Sequence, residues 1–486
     1  MRETRGTAVQ DWSGRWLLAL ALLFTAIYLL YYPRTYSVLD EQGFLSFAMV
    51  LAKGTLKADE AGIFVVRQAI VNGHAVPAVG LGTVVLLLPA VLIHWQTAYL
   101  LMLGVHLLGF WAASRALAHA GLPRLYAALY LLFPPAALYA RTAMSDLPTA
   151  VLTLCGLWAY LARPRRPLWA GVLWGFTPFF RFAQAPFLLG LGLARLAKDL
   201  LAWRRTGNRD LWPVLYLGLG MVPGLGGWML VNTWLYGGPF DTPVLWPLST
   251  QYLPSHLWRY LLMLNLLYPL MLTIAVIRPS PLRAEIIWSG LATLTLYSLF
   301  KHRYEGFGPA GAIIGYRFFL PLFALLLIPY ASALERGRRA LGRTGKPAAW
   351  AGLGLLLVGY VGMSWAHDRR LAAQEQVQQA IYAATADAEL VLVDQGAREF
   401  FLDALGKREL LYVEAFPFPA AVRQAVARAV PAVLVVTLER EDMSIDVTTG
   451  KLLAELRRSY TVEQTATLGR KPDHVRIYRV LARGAP

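Results

Sequence analysis

The chain has 486 residues, of which 57% are hydrophobic and only 15% charged, with a formal net charge of +17. That balance excludes a soluble globular enzyme and describes a polypeptide made largely for lipid. The charge points away from nucleic acid as well. All of the excess falls in residues 1–365, with 30 Lys and Arg against 13 Asp and Glu, mostly in short loops between apolar runs, whereas residues 366–486 carry 16 of each sign.

Eleven apolar windows are long enough, or nearly so, to cross a hydrocarbon core: 17–32, 97–113, 125–140, 147–162, 168–180, 184–197, 211–235, 258–277, 284–300, 317–334 and 348–365. The first is expected to stay as an anchor, because no small-residue cleavage site follows Leu30-Tyr31-Tyr32-Pro33. Basic clusters at Arg2, Arg5 and Arg15, at Arg115 and Arg124, at 163–166, at 198–209, at Arg278 and Arg283, and at 336–346 all share one face if the N-terminus is cytoplasmic. A twelfth apolar run, 79–94, would break that parity, so it reads as a re-entrant or interfacial helix. The odd count leaves the C-terminus outside.

Residues 33–96 then form the longest external segment. Within it 40–53 has helical periodicity and is short enough to lie in the interface, while 63–79 holds β-prone runs around Asn72-Gly73, a hairpin signal. The tail reads as an α/β unit, with strands at 391–394, 410–413, 432–438 and 475–480 and helices at 397–405, 420–429 and 450–459. Neither G-x-G-x-x-G nor G-x-x-x-x-G-K-[ST] occurs, so no dinucleotide or ATP site is expected. The single cysteine, Cys155, allows no intrachain disulfide.

Charge near lipid is expensive, which makes the ionisable groups outside the cytoplasmic loops the informative ones. Asp40 and Glu41 follow the first window and either start the interfacial helix or supply a general base at the membrane surface. Asp146, in Arg141-Thr142-Ala143-Met144-Ser145-Asp146-Leu147-Pro148, has the same two readings. Arg317 opens a late window and follows Lys301, His302 and Arg303 on an external loop. Orientation gives no reason for a basic cluster there, and a phosphate would supply one, against plain snorkelling of Arg317. Histidines lack metal-ligand spacing, and Trp234, Trp246 and Trp258 read as interfacial belt residues.

Taken together, the acidic pair Asp40-Glu41, the Arg141–Pro148 motif, the Arg181-Phe182 turn, Tyr316-Arg317-Phe318 to Pro321 and the external α/β tail resemble the GT-C superfamily of polytopic glycosyltransferases, nearest to bacterial protein-mannosyltransferase and aminoarabinose-transferase types. Val76-Pro77-Ala78 stands where this group often has a Pro-Pro element, and no second acid follows Asp146. The resemblance implies an α-helical polytopic membrane protein of GT-C type with about 11 transmembrane helices, a catalytic domain over 1–365 and a soluble extracytoplasmic α/β domain over 366–486.

It further implies inverting transfer of a sugar from a polyprenyl-phosphate donor to a hydroxyl acceptor on lipid, glycan or protein, at the outer face of the plasma (inner) membrane. Asp40 would be the general base, with Glu41 and Asp146 positioning. Arg317 with Lys301 or Arg303 would grip the phosphate, seconded by Arg67 and Arg181, and Arg141, His302 and Tyr316 would place the acceptor. This reading fixes no cofactor and leaves room for a divalent cation, which Asp40 and Asp146 would hold. The competing reading is a polytopic transporter or lipid flippase, which the composition suits equally, but acids gathered at one surface and the lack of an internal repeat favour the transferase.

Overall fold

The computed structural model describes all residues except 1–6, 60–67, 72–73, 208–209, 243–247, 301–308, 394–396, 402–408, 413–426, 428–431, 438–446, 469–474 and 484–486. The chain divides into two compact units. One comprises residues 1–33 and 79–367, the other residues 34–78 and 368–486. The segment expected as the first external loop of a 1–365 domain therefore belongs, up to residue 78, with the tail. The junction at 367–368 falls inside a continuous helix, Gly345–Ala384.

The first unit is helical. Among the described residues four helices are long and apolar enough to cross a membrane, and the pair Thr250–Leu266 and Met271–Ile277 qualifies together, bent by 92°. Large apolar side chains such as Leu18, Leu22, Leu219, Leu230, Leu355 and Val358 face outward, as they do when the surrounding solvent is hydrocarbon. The eleven apolar windows do not become eleven unbroken helices. Window 125–140 is a 3-10 turn followed by Ala128–Leu131 and Pro134–Tyr139, because Pro134 and Pro135 supply no backbone N–H to continue the preceding turn. Window 168–180 splits into Leu168–Gly175 and Thr177–Phe180, with Pro178 at the second start. Run 79–94 gives the helix Leu81–Val91, whose 11 residues extend about 16 Å, roughly half a hydrocarbon core.

Two glycine pairs set a close helix contact. Gly171 and Gly175 on Leu168–Gly175 meet Gly220 and Gly224 on Trp212–Tyr236, both pairs spaced four apart. A Cβ on Gly220 would lie 2.9 Å from the Gly171 Cα, and one on Gly175 2.7 Å from the Met221 O, so backbone rests directly on backbone. Trp174 ties the same short helix to Asp146–Ala162 by donating from Nε1 to the Thr153 O at 3.1 Å while its ring fills the space beside Gly156.

Buried polar networks fix the helix ends. Glu285 accepts from Tyr160 Oη at 2.7 Å and from Lys198 Nζ at 2.6 Å, while Arg195 pairs with Asp199 at 2.9 Å. Asp199 Oδ2 in turn accepts the Val214 N–H at 3.1 Å, joining two more helix ends. Glu335, 3% exposed, takes Arg338 and Arg339 at 2.7 Å and the Tyr126 hydroxyl at 3.0 Å.

The second unit carries the helix Leu39–Ala52, the expected interfacial segment, and two sheets. Strands β1 (Ala58–Asp59), β2 (Gln68–Val71) and β3 (His74–Pro77) form a small antiparallel sheet in the order β1-β3-β2, with Val71 opposite His74 as a two-residue hairpin demands. Strands β4 (Leu390–Val393), β5 (Glu409–Tyr412), β6 (Ala432–Thr437), β7 (Tyr460–Leu468) and β8 (Val475–Ala482) order as β5-β4-β6-β8-β7, parallel across the first three and antiparallel thereafter. Val391, Val393, Phe400, Phe401, Val475 and Ile477 make its core. Of the helix expected at 397–405, the described residues form a 3-10 turn over Ala397–Phe400 and the remainder from 402 lies outside them, as does most of the helix expected at 420–429. Gln378 knits the two stretches of this unit together, accepting from Thr35 Oγ1 at 3.2 Å and donating to the Phe400 O at 3.1 Å.

Candidate active site

In the first unit the break between Thr177–Phe180 and the next helix leaves Arg181 in an extended conformation (φ −155°, ψ 102°), held by its own N–H on the Thr177 O at 3.0 Å. Its guanidinium forms an ion pair with Asp146 Oδ1. Asp146 is the first residue of Asp146–Ala162, with Ser145 in the cap position, so its carboxylate sits where the helix dipole favours negative charge. It is 1% exposed, and its Oδ2 has no hydrogen-bond partner among the described residues.

Arg317 arrives from another direction. It opens the 3-10 turn Arg317–Phe319, set between the helix Pro309–Tyr316 and the long buried helix Leu320–Ala340, and Pro321 fixes the start of the latter. The Arg317 and Arg181 guanidinium carbons each lie 4.8 Å from the centre of the Phe318 ring, which places the two cations at most about 10 Å apart. Asp146, Arg181 and Arg317 sum to one positive charge around one aromatic ring. Tyr139 and Tyr297 lie within electrostatic reach of all three. The Tyr297 ring packs 4.8 Å from Phe318 and its hydroxyl faces the Arg181 guanidinium, while the buried Tyr316 hydroxyl has no hydrogen-bond partner among the described residues.

Of the residues singled out in the sequence, the structure thus brings Asp146, Arg181 and Arg317 together, with Tyr316 adjoining Arg317 and packed 4.8 Å from Phe133. Arg141 is buried at 1% exposure and lies 5.2 Å over the Tyr28 ring, whose hydroxyl donates to the Tyr99 O and the Ala140 O. Asp40 and Glu41 belong to the second unit. There the cap position of Leu39–Ala52 falls to Val38, so Asp40 is a first-turn residue rather than the cap, and it is half-buried. Glu41 is fully buried, its Oε2 accepting from the Ser37 N–H at 2.8 Å and the Ser37 Oγ at 3.1 Å, a closure that fixes the turn on which Asp40 stands. Arg67, Lys301, His302 and Arg303 lie outside the described residues. Among those described, no three His, Cys, Asp or Glu side chains group as metal ligands.

Sequence reading missed Tyr139, Tyr297 and Phe318 as members of the site. Phe318 stood inside the motif that named Arg317, but an aromatic next to one arginine gives no sign that a second cation, distant in sequence, will share its ring. Tyr297 ends a helix whose windowed hydropathy says only that it is buried.

No protein-family model matches the chain, and no curated protein matches it in sequence. Solved structures do match. ArnT from Cupriavidus metallidurans bound to undecaprenyl phosphate superposes with a TM-score of 0.58 at 14% identity, over 95% of this chain and 98% of that one. The same protein in the apo state gives 0.56 at 15% identity, over 97% and 98%. Arabinofuranosyltransferase AftD from Mycobacteria gives 0.50 at 15% identity, covering 97% of this chain but 40% of its own. At such identity the likeness is one of architecture, carried over almost the entire length: the chain has the fold of the GT-C glycosyltransferases.

Proposed function

We propose that the protein is an inverting glycosyltransferase that moves a sugar from a polyprenyl-phosphate donor to a hydroxyl acceptor at the extracytoplasmic face of the membrane. The observation that carries this reading is the pair of guanidiniums, Arg181 and Arg317, sharing the Phe318 ring beside a single buried carboxylate. A sugar leaves phosphate without a proton donor; what the breaking bond needs is positive charge on the departing oxygen, and arginine meets phosphate oxygens with a rigid fork of N–H groups.

In the transfer itself, the acceptor oxygen forms its bond to the anomeric carbon as that carbon's bond to the phosphate oxygen breaks. The electron pair leaves with the phosphate, and the acceptor proton passes to a carboxylate. Asp40 takes that proton in this reading, on a turn stiffened by the Glu41–Ser37 closure. Asp146 holds Arg181 in place, and Arg317 grips the phosphate with Lys301 or Arg303, seconded by Arg67. Arg141, His302 and Tyr316 serve the acceptor. The ArnT structure was solved with undecaprenyl phosphate, which makes that lipid the first donor carrier to try, and the arabinofuranosyl group in AftD's name makes lipid-linked arabinose the first of the sugar donors.

The test is sugar transfer in proteoliposomes supplied with this donor and a membrane lipid extract as acceptor. Asp40→Asn should abolish transfer while expression and monodispersity stay as in the wild type, because the proton acceptor is lost but the turn survives. Undiminished transfer by that variant would remove Asp40 from the mechanism.

A further inference from the structure

Gly80 sits just before the helix Leu81–Val91, with φ −63° and ψ 117°, a conformation open to any residue. Its lack of a side chain answers to something else. A Cβ there would lie 2.6 Å from the Phe180 carbonyl carbon and closer still to its oxygen, and Phe180 immediately precedes Arg181. Gly82, two residues on, repeats the contact more gently, its Cβ falling 2.9 Å from the Phe180 ring and 3.0 Å from the Phe179 carbonyl carbon. The start of Leu81–Val91 thus rests on the main chain of residues 179 and 180.

We propose that Gly80 is a positioning residue for Arg181: by letting two backbones touch, it sets where the Arg181 guanidinium stands relative to Asp146 and Phe318. The inference rests on the reading of Arg181 as a phosphate grip. Other contacts leave the turn little freedom to absorb a displacement. Trp174 anchors the preceding helix to Asp146–Ala162, and Gly175 lies on the backbone of Trp212–Tyr236. A methyl group at residue 80 therefore pushes residues 179 and 180 outward by at least about 0.8 Å, the distance the carbon–carbon contact alone needs to reach its ordinary separation. Displacements of that size in positioning groups cost on the order of 100-fold in turnover.

The experiment compares Gly80→Ala, Arg181→Gln and the double variant for transfer from an undecaprenyl-phosphate sugar in proteoliposomes, with Gly104→Ala, which faces open space, as the control. Gly80→Ala should lose about 100-fold in kcat/KM, and the double variant should be no worse than Arg181→Gln alone, because both changes remove one function. Losses that multiply, or full activity in Gly80→Ala, would overturn the proposal. If Gly80→Ala fails to accumulate, Gly82→Ala, which meets a movable ring, should give a smaller loss with the same lack of additivity, and multiplying losses there overturn the idea equally.

A second readout separates this inference from the functional reading. The coupling between Asp146 and Arg181, measured by unfolding of the single and double variants in mixed micelles, should fall by half or more in a Gly80→Ala background. An unchanged coupling refutes positioning even if transfer behaves as expected. A fully active Arg181→Gln refutes the phosphate grip alone.

Discussion

Replacing Arg181 with methionine leaves the Asp146 carboxylate at 1% exposure with neither oxygen bonded by a described partner, since Oδ1 loses its cation and Oδ2 has none to begin with. An orphaned buried charge of this kind costs about 3–5 kcal/mol. The reverse change, Asp146→Leu, strands a guanidinium whose side chain keeps 15% of its exposure and still has the Phe318 ring, so its cost should be smaller. Removing both charges at once, as Arg181→Met with Asp146→Leu, should restore stability to within about 1 kcal/mol of the wild type, because neither member of the pair is then left uncompensated. Unfolding in mixed detergent micelles, followed by tryptophan fluorescence, reads all three variants. The same double variant should show no sugar transfer, separating the energetic role of the pair from its chemical one. An Arg181→Met protein within about 0.5 kcal/mol of the wild type would refute the reasoning, since it would mean that Asp146 is hydrated where the structure shows it enclosed.

Three further outcomes are expected. Arg317→Ala should raise the donor KM in the transfer assay with a smaller change at saturating donor, and an unaltered donor dependence would mean that this side chain merely snorkels. Gly224→Val should destabilise the protein by about 1–3 kcal/mol or more, because its side chain would enter the main chain at Gly175 and Phe176, whereas Gly218→Ala, facing open space, should be neutral in the same denaturation assay. A cysteine placed at Asp387, whose side chain is 89% exposed, should react in a Cys155→Ala background with an impermeant thiol reagent added outside intact cells; labelling only after the cytoplasm is opened would reverse the proposed orientation.

Local signals were legible where one residue type decides the geometry. Asn72-Gly73 between β-prone runs announced the β2–β3 hairpin, and the periodic Phe44, Phe47, Ala48 and Leu51 announced Leu39–Ala52. The short apolar runs at 391–394, 410–413, 432–438 and 475–480 gave four strands of the larger sheet, but β7 escaped. Its Tyr-Thr-Val-Glu-Gln-Thr-Ala-Thr-Leu is polar and half-exposed, as suits a sheet edge, and it follows its helix with no turn residue to mark the boundary. Hydropathy windows hid the breaks in the helical unit because lipid-facing and protein-facing segments are equally apolar. Nothing in 258–277 except Pro269 hints at the 92° bend, where Leu270 adopts a positive φ of 59° and Asn265 Oδ1 accepts the Thr273 N–H at 3.0 Å. At the site, charge arithmetic found Asp146, Arg181 and Arg317, since each is expensive where it stands. The aromatic groups that join them carry no charge and so left no trace in that arithmetic.

The glycine seam between Leu168–Gly175 and Trp212–Tyr236 bears on how the protein is made. An eight-residue helix is too short to hold itself across a bilayer, yet its partner has 25 residues and can enter alone. During biosynthesis the short piece therefore has to wait for a later segment, some forty positions downstream along the chain, before its peptide planes find their seat. A newly made chain with a bulkier residue in that seam would accumulate as a late assembly intermediate, inserted but unfinished, and a membrane quality-control protease would meet it with the Arg181 turn still unbuilt.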